Sequence, residues 1–164
     1  MPIVFYRING RRLYGRVAAI LLGGVTAGSI DLGSAYLING GSVGSILQTI
    51  AGGLLAERAL SGGATTAALG AFLQEFMGVL IAAIYVLGCR FLPALARRWV
   101  ISSLAYGVVI FLVMNYVVLP LCAWRYWPHF SVRTFSENLA AMLLFGLIVG
   151  YFAQRAESHR LDPV

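Results

Sequence analysis

Two carboxylates set inside apolar runs are the residues of this chain best placed to do chemistry. Asp31 is the only formal charge between Val17 and Ile38, and Glu75 is the only one between Ala64 and Cys89. A carboxylate in hydrocarbon is costly, so each should point into a bundle, a watery cavity or a partner. Neutral polar groups stand near them in the sequence pattern: Gln74 beside Glu75, Asn115 inside a third apolar run, and Gln48 in a glycine-rich stretch. No arginine lies within these runs. Desolvation and mutual repulsion keep two carboxylates in a dry site from both staying ionised. Three chemistries remain: the acids hold a proton, pair with Arg58, Arg125 or Arg133 reaching in from the outer surface, or coordinate a cation. The first two make a polar clasp between helices, worth about 1 kcal/mol in a membrane. The leading reading is a non-enzymatic accessory or structural protein built on that clasp. The alternative is a small channel or transporter-like protein that uses Asp31 and Glu75 for a proton or cation.

Enzymatic chemistry has little to work with. His129 and His159 fall on opposite sides of the membrane in the topology below, and no Cys/His spacing of zinc or haem type occurs, so no metal and no cofactor is expected. The glycine pairs lack the lysine and the strand-turn-helix setting of a phosphate loop. No catalytic residue is assigned, and the chain is not expected to be an enzyme.

The elements that must position the acids follow from composition and periodicity. The chain has 164 residues, is 60% hydrophobic and 11% charged, and has a mean hydropathy of +0.84. Soluble domains carry about 25% charged residues, so this is an all-α polytopic membrane protein in a single domain, residues 1–164. A span needs about 20 mostly apolar residues. Four stretches qualify, at about 17–38, 64–92, 101–121 and 137–154, the last being the shortest. The first apolar run is too long for the core of a secretory signal and reads as a retained span. A short helix at about 42–58 has an apolar face through Val43, Ile46, Leu47, Ile50 and Leu54. At about 25 Å it is too short to span easily, and it reads as interfacial or re-entrant.

Small residues mark where the spans should pack. Gly24, Gly28, Asp31 and Ala35 advance by fours and threes along the first span; Ala68, Ala71, Glu75, Gly78 and Ala82 do so along the second. These two stripes should meet, with the acids facing one another. Asn115 is expected nearby and Gln48 above them as a lid. Gly146 and Gly150 form a similar pair on the last span, a face for either the same bundle or a second copy or other membrane protein, with association with another chain the favoured reading.

The net charge of +6 comes from twelve arginines and no lysine. They sit beside the apolar runs, where they orient a membrane protein, and form no nucleic-acid patch. Arg7, Arg11, Arg12, Arg16, Arg90, Arg97, Arg98, Arg155 and Arg160 fall on one side, and Arg58, Arg125 and Arg133 on the other. That bias puts both termini in the cytoplasm. At 1.5 Å per residue, Asp31, Glu75 and Asn115 then lie about 10, 15 and 9 Å below the outer surface. Cys89 and Cys122 end up in opposite leaflets, too far apart for a disulfide.

The glycine-rich first span with Asp31, the run Ile46 to Leu55, Gly62 to Gly70, Met114-Asn115 and Val117 to Leu121 together resemble a group of small uncharacterised bacterial inner-membrane proteins. More distantly the chain is similar to YagU-like proteins. The likeness covers about residues 17–153. It implies four spans and an inner-membrane location, and brings no established activity. In that group a His often stands where this chain has Glu75, and another opens the last span near Asn138, so a His-based site is not carried over.

Overall fold

The computed structural model describes residues 10–125, 127 and 131–158, with side chains from Tyr14 to Glu157. His129, His159, Arg7, Arg160 and Tyr126 lie outside the described residues. Every regular element among the described residues is a helix: α1 Gly10–Asn39, α2 Val43–Leu55, α3 Arg58–Ser61, α4 Gly63–Phe91, α5 Pro93–Arg97, α6 Trp99–Val113, a π-helical turn Met114–Val118, α7 Leu119–Leu121 and α8 Val132–Ser158. Among the described residues four stretches are long and apolar enough to cross a membrane, namely Tyr14–Asn39, Gly63–Phe91, Trp99–Leu121 and Val132–Glu157. The expected all-α class with four spans and one shorter helix is therefore what the chain forms.

The helix ends differ from expectation for local reasons. α1 is already helical at Gly10, seven residues ahead of the apolar run, because the arginine segment is compatible with helix and extends it. α8 begins at Val132, where the Ser131 hydroxyl accepts a hydrogen bond from the Thr134 amide at 3.1 Å, a side-chain cap that starts the helix before the apolar run does. The fourth span is thus 26 residues long, and the third, at 23, is the shortest. Glu137 lies beyond the first turn of α8, where it pairs with Arg133 at 2.8 Å. α2 starts from a capping box between Ser42 and Ser45 and stops at Leu55, because Ala56 adopts φ 52°, a left-handed setting no helix can continue through. Its 13 residues give about 20 Å, too little to span.

The long helices are arranged in the order α4, α1, α8, α6, with α1 packed on both α4 and α8, and α8 on α6. Tyr85 and Tyr106 close the remaining side: their rings lie 4.9 Å apart, the Tyr106 hydroxyl donates to the Ile81 carbonyl at 2.8 Å, and the Tyr85 hydroxyl bonds Ser102 at 2.9 Å. Phe145, Val149, Ala153, Val86 and Ala27 form the buried centre. Leu21, Leu22, Val25, Phe72, Phe76, Ile84, Val109 and Leu112 are exposed on the outside. Apolar surface so extensive is abnormal in water and ordinary against lipid tails.

Two seams without Cβ atoms set the close approaches. A Cβ on Gly24 would lie 2.5 Å from the Val79 Cα, and one on Gly78 would lie 2.7 Å from the Gly24 carbonyl oxygen, so α1 and α4 touch backbone to backbone. On the other side, a Cβ on Gly107 would sit 2.6 Å from the Met142 carbonyl, while one on Gly146 or Gly150 would collide with Ser103. The Gly146 and Gly150 face is therefore filled inside the bundle by α6, and the expectation that it seats a second chain is corrected. The sequence pattern showed a small-residue face but not which neighbour fills it.

Candidate functional site

The α1–α4 seam carries both acids. Gly28 stands at its centre, and the flanking residues Ser29 and Asp31, about 200° apart around the helix, fall on its two sides. Gln74 and Glu75, adjacent on α4, straddle the seam in the same way. On the inner flank, Gln74 Nε2 donates to Asp31 Oδ2 at 3.0 Å and to the Gly28 carbonyl at 3.1 Å. On the outer flank, the Ser29 hydroxyl donates to Glu75 Oε1 at 3.1 Å, while Glu75 Oε2 is buried against Gly28 and makes no hydrogen bond. Asp31 and Glu75 thus take separate neutral partners across one seam and do not bond each other. Two acids sharing a site would have to share a proton; here an amide and a hydroxyl give each acid a donor of its own, with Glu75 Oε2 left unpartnered.

Other residues expected beside the acids are placed elsewhere. Asn115 donates from Nδ2 to the Phe111 carbonyl of its own helix at 2.8 Å and bonds neither acid. Its segment is π-helical because Pro120 has no N–H to offer; the Leu119 amide reaches back to the Met114 carbonyl, five residues away. Gln48 is no lid: its Nε2 donates to the Gly63 carbonyl at 3.0 Å and fastens α2 to the start of α4. Trp124 holds the middle of α2 as well, its indole N–H donating to the Thr49 carbonyl at 3.1 Å. Ala71 lies half-buried one turn before Glu75 on the seam face of α4. None of the outer arginines expected to reach the acids does so; Arg133 is paired with Glu137, and among the described residues neither Arg58 nor Arg125 forms an ion pair.

Asp31 also lines a cavity of about 30 Å³ at the centre of the bundle, walled by Gln74, Met77, Gly78 and Ile81 of α4, Ile110 of α6 with Met114 at the head of the π turn, and Met142 and Phe145 of α8. A water needs about 10–15 Å³ of such space, so two or three fit at most. Among the described residues no three His, Cys, Asp or Glu side chains gather as a metal site, and both thiols are free, Cys89 being buried.

No family model, curated protein or solved structure matches the chain.

Two polar clusters escaped the sequence reading. Arg16 of α1 meets Glu157 of α8 at 2.7 Å, with both side chains largely enclosed. In sequence Arg16 reads only as an orienting charge and Glu157 lies in the polar end of the chain, so only the antiparallel packing of α1 and α8 joins them. Ser103 donates to the Trp99 carbonyl and shares Tyr85 with Ser102, which makes a hydroxyl knot at the α4–α6 contact. The signal available was the Ser102-Ser103 pair inside an otherwise apolar run.

Proposed function

We propose that the chain is a non-enzymatic accessory or structural bundle of the bacterial inner membrane, with both termini cytoplasmic, whose two acids clasp α1 to α4. One observation carries the reading: each acid has its own neutral donor across the seam, Gln74 for Asp31 and Ser29 for Glu75. A conduction path needs a chain of watery sites, and the space beside Asp31 has room for only two or three waters. The nine-to-three arginine bias supports the orientation.

Asp31→Asn keeps an acceptor for Gln74 and should leave the folded protein intact, with melting temperature nearly unchanged, whereas Asp31→Leu should lower it. In proteoliposomes the native chain should pass protons and alkali cations no faster than empty vesicles. A flux that Asp31→Asn abolishes with the fold preserved would overturn the clasp and establish the channel or transporter reading. Orientation is checked in a Cys122→Ser background: an impermeant thiol reagent added from outside the cell should label Ser61→Cys and spare Ala94→Cys, and the reverse pattern would invert the topology.

A further inference from the structure

Beyond Met1 the chain has three methionines, Met77, Met114 and Met142, and all three line the cavity that Asp31 lines. They come from α4, the π turn and α8, so only the assembled bundle brings them together. Thioethers are common fillers of irregular cores, but a filler has no need of a carboxylate in the same wall. Here Asp31 gives one oxygen to Gln74, and its other oxygen accepts no hydrogen bond among the described residues. No arginine pairs with it there either.

The donor set decides what could fill the space. Hard cations take six or more oxygens, or keep their waters, and this wall offers one carboxylate and one amide. Thioethers are soft ligands that select copper in its monovalent state. A single positive charge also balances the single carboxylate, which matters where an unbalanced charge is strongly penalised. We propose that this cavity binds a soft monovalent cation, Cu(I) or its redox-stable analogue Ag(I), through the thioethers of Met77, Met114 and Met142 with Asp31 as counter-charge. The volume of about 30 Å³ suits one ion stripped of its water. The site goes beyond the clasp and is independent of it, since Gln74 holds Asp31 Oδ2 whether or not an ion sits on the other side.

The test uses the full chain in detergent with Cys89→Ala and Cys122→Ala, because thiolates bind the same ions. Silver nitrate is added in chloride-free buffer, the protein is desalted, and retained silver is counted by mass spectrometry. About one Ag(I) per chain should remain, with sulfur neighbours in X-ray absorption that only methionine can supply. Each single Met→Leu change at 77, 114 or 142 is close to volume-conserving and should weaken binding at least tenfold with melting temperature nearly unchanged. Failure of the folded cysteine-free chain to retain silver, equal retention by the Leu variants, or an oxygen-only shell would overturn the proposal; the last two would mark the methionines as fillers. If the cysteine-free chain does not fold, native protein is compared with the Met77→Leu/Met142→Leu variant, which should retain one ion fewer; equal counts would overturn the proposal.

Discussion

At Glu157 a carboxylate and the Arg16 guanidinium are held together between α1 and α8, with side-chain exposures of only 10% and 19%. Glu157→Ala would leave Arg16 in that enclosed position without its countercharge, and the loss of stability should fall between the ~1 kcal/mol of an exposed pair and the ~3 kcal/mol of a buried one. Arg133→Ala at the exposed Arg133–Glu137 pair should cost well under 1 kcal/mol. Unfolding titrations of the two variants check the contrast, and equal losses would contradict it. Residues of this kind differ in how far sequence reveals them. Asp31 and Glu75 stand out because each is alone in an apolar run, where a charge needs a reason. Their partners do not stand out, since whether Glu75 meets Asp31 or Ser29 depends on the helix phase at Gly28, which periodicity fixes only to within a residue. The Met77, Met114 and Met142 grouping has no spacing signature at all, because each comes from a different span.

Between elements, glycine placement was the most readable feature and its use the least. The stripe on α1 and α4 meets as the repeat of fours and threes suggests, with Gly24 against Val79 and Gly78 against Gly24. The Gly146 and Gly150 repeat has the same appearance in sequence, yet its neighbour is α6 of the same bundle. A repeat of small residues announces close approach without saying to what. Gly24→Leu and Gly146→Leu should therefore both separate helices within one chain, each with a penalty of at least the ~1–3 kcal/mol typical of overpacking, read as a lowered melting temperature. Gly33→Ala is the control: nothing lies within 4 Å of the added methyl, and stability should change by no more than about 0.5 kcal/mol. If Gly146→Leu melts like the native chain and only loses self-association, the seam assigned to α6 and α8 is wrong. The break in the third span was half-legible: Pro120 announces a disturbance, but a π turn from Met114 rather than a kink follows from how the freed carbonyls find donors.

For the whole molecule, composition and four apolar runs were enough to give an all-helical bundle, because hydrocarbon leaves the backbone few other ways to satisfy its hydrogen bonds. The helix order α4, α1, α8, α6 was not available from those runs, since loop lengths permit several arrangements and the deciding contacts are long-range: Arg16 with Glu157, Tyr85 with Ser102, Gln74 with Asp31. The account rests on the bundle being held at the α1–α4 seam by two separate couples rather than by one pair of facing acids. Global unfolding of the chain in mild detergent, measured for Asp31→Ala, Gln74→Ala and the double variant beside the matching Asp31 and Glu75 set, tests this directly. The account predicts a favourable coupling of about 0.6–1.7 kcal/mol between Asp31 and Gln74, the range found for hydrogen bonds between membrane helices, and much less between Asp31 and Glu75. Strong coupling between the two acids, with none between Asp31 and Gln74, would contradict it.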